Sequence, residues 1–219
     1  GMGGILGVSS GSPEEAQFLV MEYIPHKKEQ PIVFIGKGVT FDSGGLNLKP
    51  SDALNDMHHD MAGAASVIAT MAALAKMKVA RNVVGITPIV ENMPGGSGYR
   101  PGDVLTMMSG KTVEIGNTDA EGRVILADAL TYAKRYAPRL VVDTATLTGA
   151  AVVALGKRLI GGFSSNEALS MELKQFSEQS GDYVWPLPLW EEFTEDIRGM
   201  FADINNNGRV RGAGGASLG

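Results

Sequence analysis

Pro31-Ile-Val-Phe-Ile35 runs directly into Gly36-Lys-Gly-Val-Thr-Phe-Asp-Ser-Gly-Gly45. The first stretch is apolar throughout, the pattern of a strand buried on both faces of a sheet. Lys37 follows it after a single glycine, and open α/β sheets place their sites at the carboxyl ends of strands. Working outward, Phe18–Tyr23, Asn82–Val90, Thr112–Ile115, Arg139–Thr144 and Gly161–Ser164 read as further strands, with Arg139–Thr144 also buried. Ala62–Lys76, whose small residues suit tight packing on a sheet, reads as a helix, as do Glu121–Tyr136, Glu167–Ser180 and Leu189–Ile197. In Glu121–Tyr136 the expected apolar face is Val124, Ile125, Ala127, Leu130 and Ala133. His26–Gln30 reads as a polar turn, Glu91–Asp103 as a long surface loop, and Asn205–Gly219 as loop. Strands alternate with helices, which predicts an α/β fold with a mixed, largely parallel central sheet and helices on both faces.

The 219 residues, 44% hydrophobic and 20% charged, suit one domain or one and a half with a real core. A net charge of −5 and a pI of about 5.2 argue against a basic nucleic-acid surface. There are no cysteines, so any metal must be held by oxygen and nitrogen ligands. The apolar stretch 62–77 is too short and too Ala-rich to span a bilayer, so no membrane partner is expected. Gly, not Met, stands first, which reads as a fragment; cytoplasmic is the expected location.

The chemistry lies in short clusters: Lys37 and Asp42, then Asp60, then Asp119 and Glu121. Four carboxylates gathered together are expensive to bury without cations, and two divalent ions would neutralise them. That arithmetic points to a two-metal hydrolase. Lys37 ligates a metal only as the neutral amine, a form favoured by burial and by neighbouring cations. Each cluster has a competing local reading. Lys37 and Asp42 also suit a structural ion pair. Thr118-Asp-Ala-Glu121 also reads as a capping box, with Glu121 bonded back to Thr118. Asp60 also suits a helix N-cap. His58 and His59 invite a metal reading, but adjacent side chains point apart. Phe41-Asp-Ser-Gly-Gly45 resembles the nucleophile motif of trypsin-like proteases, but those are all-β and need an upstream histidine. Here that is only His26, in a polar turn.

Taken together, the motifs resemble the leucyl aminopeptidase (cytosol aminopeptidase) family of two-metal exopeptidases. They are Gly36–Gly45, Lys49-Pro50, Asp60-Met-Ala-Gly-Ala-Ala65, Glu91-Asn-Met-Pro94, Arg100-Pro-Gly-Asp103, Asn117-Thr-Asp-Ala-Glu-Gly-Arg-Val-Ile-Leu-Ala-Asp-Ala-Leu130 and Asp143-Thr-Ala-Thr-Leu-Thr-Gly-Ala150. The resemblance implies that Lys37, Asp42, Asp60 and Glu121 hold one ion. Asp42, Asp119 with its carbonyl, and Glu121 would hold the other, with Zn²⁺ or Mn²⁺ as the ions. It implies that Lys49 stabilises the oxyanion and that Arg123 holds a bicarbonate acting as general base. Met57, Asn117, Thr146 and Leu147 would line the pocket for the first side chain, with Gly149 near the bicarbonate. The implied activity is removal of neutral, leucine-like amino-terminal residues from peptides, by a homo-hexamer.

Two departures stand out. His58-His59 precede Asp60 where the family often has a basic or aromatic residue and a small one. Members also carry an amino-terminal α/β domain and continue past Gly214-Gly215-Ala216 into a further helix and strand. The expectation is therefore a catalytic domain over 1–219 without those parts, possessing or lacking activity of its own. The competing class is a non-catalytic DNA-binding or scaffold member, against which the negative charge argues.

Overall fold

The computed structural model describes residues 1–26 and 28–208. Lys27 of the expected turn, and the expected loop from Arg209 onward, lie outside the described residues. In chain order the elements are α1 (Gly3–Ser9), β1 (Gln17–Tyr23), β2 (Ile32–Gly36), β3 (Gly38–Asp42), α2 (Ser51–Leu54), α3 (Ala62–Lys76) and β4 (Val83–Asn92). They continue with β5 (Val104–Thr106), β6 (Thr112–Glu114), α4 (Glu121–Ala133), β7 (Leu140–Thr144), α5 (Gly149–Leu155), β8 (Ile160–Gly162), α6 (Glu167–Ser180), β9 (Val184–Pro186), α7 (Phe193–Asp196) and β10 (Ile204–Asn205). Short 3-10 turns occupy Met57–His59 and Lys134–Tyr136. Gly1–Thr146 with Met200–Asn206 form one compact unit, and Leu147–Gly199 belong to a second.

In the first unit the main sheet runs β1-β4-β2-β7, with β3 also paired to β4. β1 is antiparallel to β4, and the other pairings are parallel. This is the mixed, largely parallel sheet that the alternating pattern predicts. β4 is the hub. Its first half pairs with β2 up to Ile35↔Ile86, and its second half with β3 from Gly38↔Ile89. Pro88, which has no N–H to give, falls in the gap between the two ladders. Lys37 lies at the same break, and its N–H goes instead to Thr144 O at 3.0 Å.

Alternation along the strands assigns the helices to their faces. Ile32 and Phe34 pack with Val67 and Met71 of α3. Ile5 and Val8 of α1 and Val124 and Ile125 of α4 form the other cluster, with Val39 and Val90. Leu130, expected on the buried face of α4, is 38% exposed, whereas Asp128 is fully buried. Asp128 takes that place because three backbone donors meet it: Gly4 N (2.8 Å) and Ile5 N (3.1 Å) at Oδ2, and Met108 N (2.7 Å) at Oδ1. β7 is half-buried rather than fully buried, because it is the last strand on the β2 side. The expected surface loop after Glu91 carries two buried side chains, Asn92 and Tyr99. Asn205, expected in loop, pairs through β10 with β6.

In the second unit β8 lies parallel to β9. α6 spans the expected residues because its ends are marked. Asn166 accepts from Leu169 N at the start, and Gly181 turns left-handed (φ 83°) at the end. The helix expected over Leu189–Ile197 shrinks to Phe193–Asp196. Leu189 and Trp190 stay half or more exposed, so the apolar residues that suggested a longer helix bury no stripe there. No described helix is long and apolar enough to cross a membrane.

Candidate metal centre

Lys37 enters the site at the sheet break, and small residues on two helices make room for it. A Cβ on Gly63 of α3 would collide with Thr144 O, and a Cβ on Gly122 of α4 would stand 2.8 Å from Lys37 Nζ. The ammonium is 3% exposed. It donates to Thr146 O at 2.8 Å and lies 2.9 Å from Asp60 Oδ2 and 2.8 Å from Glu121 Oε1. A second cation sits alongside. Lys49 Nζ is 2.9 Å from Asp42 Oδ2 and is also ion-paired with Asp119 Oδ1. The five residues singled out from the sequence, with Lys49, therefore gather in one place. Oxygens of Asp42, Asp119 and Glu121 lie within 4.8 Å of one another.

The pairings differ from every local alternative. Lys37 bonds Asp60 and Glu121 and not Asp42, so the local ion pair is absent. The chain runs on from Lys37 as a strand, which carries Asp42 to the other lysine. Glu121 opens α4 and caps nothing. Thr118 N goes to Asn47 Oδ1 (2.8 Å), and the Thr118 hydroxyl donates to Gly44 O (2.6 Å). Asp60 is not the N-cap of α3, because its Oδ1 accepts from the Thr146 hydroxyl at 2.7 Å. His58 and His59 are exposed, and the His58 ring packs on Phe41 at 4.7 Å.

Two loops carry the acids, and a hydrogen-bonded knot ties them together. Asp42 Oδ1 accepts from Gly44 N (2.9 Å) and from Asn92 Nδ2 (2.8 Å). Gly44 has φ +89°, a conformation that glycine adopts without penalty. Thr118 O accepts from Asn92 Nδ2 (3.0 Å) and from the buried Tyr99 hydroxyl (2.6 Å). The roles of Asn92, Tyr99, Thr118, Gly63 and Gly122 escape a reading of the sequence. Their partners are remote, and only the abundance of glycine hints at such close approaches.

Burial drives the electrostatics. It pushes Glu121 up to about 7; Lys37 opposes that shift, and Asp42 and Asp60 add to it. Burial also raises Asp60 and Asp119 against the pull of their lysines. Burial opposes the charge on Lys37 too, but Glu121 and Asp60 outweigh it and raise its pKa. Lys49 is raised likewise, by Asp119 and Asp42 against burial. Burial lowers Arg123, partly offset by Glu121. The carboxylates thus hold more negative charge than two ammonium groups relieve. Asp60 Oδ2, Asp119 Oδ1 and Glu121 Oε1 are buried. Each faces an ammonium: Asp60 Oδ2 and Glu121 Oε1 that of Lys37, and Asp119 Oδ1 that of Lys49. Clustered buried carboxylates are a fitting donor set for divalent cations, which would take the place of the ammonium charges.

The sequence model of the cytosol aminopeptidase family, catalytic domain, matches residues 1–219. The chain belongs to the cytosol aminopeptidase family. A "Probable cytosol aminopeptidase" from Tolumonas auensis is 53% identical over 214 residues, covering 97% of this chain and 43% of that protein. One from Shewanella loihica is 55% identical over 216 residues, again covering 97% and 43%. The chain thus spans less than half the length of these relatives. Among solved structures, the bottromycin maturation enzyme BotP in complex with Mn is similar, with a TM-score of 0.90 and 42% identity over 96% of this chain and 46% of that one. A second structure of the bottromycin maturation enzyme BotP gives a TM-score of 0.89 and 41% identity over 96% of this chain and 45% of that one.

Within this cytosol aminopeptidase catalytic domain the remaining expected residues are distributed as follows. Arg123, in the first turn of α4, donates from Nη1 to Asn206 O at 3.1 Å. Met57 starts the 3-10 turn ahead of Asp60, and Asn117 Oδ1 accepts from Asp119 N at 2.9 Å. Thr146 bonds both Lys37 and Asp60, so its polar atoms support the cation cluster as well as lying near it. Leu147 and Gly149 belong to the second unit, where Gly149 opens α5.

Proposed function

We propose that this chain is the catalytic part of a metal-dependent aminopeptidase that releases neutral, leucine-like residues from the amino termini of peptides. The observation that carries the reading is the cluster itself: carboxylate oxygens of Asp42, Asp119 and Glu121 within 4.8 Å of one another, with Lys37 bridging Glu121 to Asp60 beside them. Lys37, Asp42, Asp60 and Glu121 would hold one divalent ion. Asp42, Asp119 with its carbonyl, and Glu121 would hold the other. Oxygen with one amine nitrogen suits Zn²⁺ or Mn²⁺. Two such ions, when bound, supply a nucleophilic water at neutral pH.

The rest falls to the protein. Lys37 would serve only as the neutral amine, so one Nζ proton would pass to solvent on loading, and Thr146 O would accept from one of the two N–H groups that remain. Lys49 Nζ is the donor placed to stabilise negative charge developing on a substrate carbonyl oxygen. Arg123 is the residue for a bicarbonate that accepts the water's proton, since a guanidinium binds a planar anion with two donors. Met57, Asn117, Thr146, Leu147 and Gly149 are assigned to the substrate. A free α-amine is a donor that an internal peptide lacks, which accounts for selecting chain ends. Similarity to cytosol aminopeptidases supports this reading and a cytoplasmic location; the homo-hexamer proposed for the whole protein rests on the family resemblance alone.

The test is hydrolysis of a leucyl-amide reporter with added Mn²⁺ or Zn²⁺, beside a chelated sample and Asp119→Ala. Metal-dependent turnover lost in both controls is expected. Turnover that survives chelation or the substitution would refute the site. So would inactivity of the metal-loaded full-length protein.

A further inference from the structure

Asn92 ends β4 with its side chain fully buried. Its Nδ2 donates to Asp42 Oδ1 at 2.8 Å and to Thr118 O at 3.0 Å. Both partners are acceptors only, so the amide nitrogen and not the oxygen must face them. Its backbone carbonyl accepts from Ser43 N (3.0 Å) and from Ser43 Oγ (2.6 Å). One residue therefore grips the Asp42–Ser43 corner and the turn that leads into Asp119 and Glu121. The grip leaves Asn92 Oδ1 buried without a protein donor. Gly45 passes over that oxygen with φ +64°, and a Cβ there would stand 3.0 Å from it.

We propose that Asn92 is a positioning residue of the metal centre. Its amide occupies Asp42 Oδ1, turns Oδ2 toward the cation position now facing Lys49, and fixes the span between Asp42 and the Asp119–Glu121 turn. This inference rests on the two-metal reading above. It places Asn92 outside the ligand set but in direct control of a ligand shared by both ions. Residues that orient metal ligands commonly change affinity by about 10- to 100-fold when removed.

Tyr99 supplies the control. Its hydroxyl donates to the same Thr118 carbonyl at 2.6 Å and makes no hydrogen bond to Asp42. Mn²⁺ would be titrated calorimetrically into the metal-stripped parent chain, Asn92→Ala, Asn92→Asp and Tyr99→Phe, each well below its melting temperature. Asn92→Asp keeps the shape and loses the donor, so it carries the test if the alanine variant does not fold. Both Asn92 variants are expected to raise Kd by about ten-fold or more, with Tyr99→Phe within about three-fold of the parent. Asn92 variants that bind like the parent overturn the role, whatever their melting temperatures. Tyr99→Phe weakened as much as Asn92→Ala also overturns it, because holding Thr118 would then be the whole effect. Loss of fold in both Asn92 variants overturns it in favour of a structural role. A parent chain that takes up no Mn²⁺ overturns the metal reading and this inference together, and that outcome differs visibly from the other three.

Discussion

Replacing Lys37 by Met in the metal-free protein keeps most of the side-chain length and removes the charge between Asp60 and Glu121. Lys37 and Glu121 are 3% and 1% exposed, and the ammonium sits 2.9 Å from Asp60 Oδ2 and 2.8 Å from Glu121 Oε1. Solvent cannot replace the lost cation at that depth. Breaking a buried pair by removing one partner costs about 3–5 kcal/mol. For a chain of this size that is a fall in Tm of about 6–20 °C. The penalty has an escape route: a protonated carboxyl needs no counterion, and burial already pushes Glu121 up to about 7. The loss should therefore be largest at pH 8 and shrink toward pH 6. Urea denaturation followed by far-ultraviolet circular dichroism, in chelator, measures it. A change below about 1 kcal/mol at pH 8 would refute the reasoning, because the cluster would not depend on Lys37 as a buried counterion.

Three more predictions follow from the same geometry. Gly63→Ala drives a Cβ into Thr144 O at the sheet break and should destabilise the protein by about 1–3 kcal/mol, read from Tm; an unchanged Tm would contradict the close approach. Asp128→Ala strips the acceptor from Gly4 N, Ile5 N and Met108 N, and should cost about 3 kcal/mol or more in urea denaturation, with a loss near zero counting against it. The parent's metal-free stability should fall as pH rises from 6 to 8. The folded Glu121, raised from 4.5 to about 7, binds a proton there that the unfolded chain does not, and Asp60 and Asp119 shift the same way. Lys37 and Lys49, raised above 10.5, stay charged in both states across that window and add no slope. Mn²⁺ should abolish the trend, since cations replace protons on the carboxylates. A Tm that rises with pH in chelator would show the opposite linkage.

What the sequence made legible follows the range of the forces involved. The Pro31–Ile35 run and the helices at 62–76 and 167–180 are local patterns, and the structure keeps them almost residue for residue. α1 is not readable, because its Gly/Ser-rich sequence is capped by Asp128, more than 120 residues away. β3 hides because Ser43-Gly44-Gly45 reads as a turn, and its pairing with β4 is set by the break at Lys37. The site residues stood out as acids and lysines gathered in short clusters. Their pairings did not, since Lys37 chooses Asp60 and Glu121 over the nearby Asp42. The capping-box pattern at Thr118 misleads for the same reason: its bonds go to Gly44 and Asn47 across 74 and 71 residues.

The most direct test of the central claim is the number of ions the cluster holds. Mn²⁺ titrated into the metal-stripped chain, with calorimetric heat and bound metal measured together, should give two ions per chain, and fewer in Asp119→Ala. Zero ions bound by the parent, or two bound equally by the Asp119 variant, would contradict the assignment of these carboxylates to a metal centre.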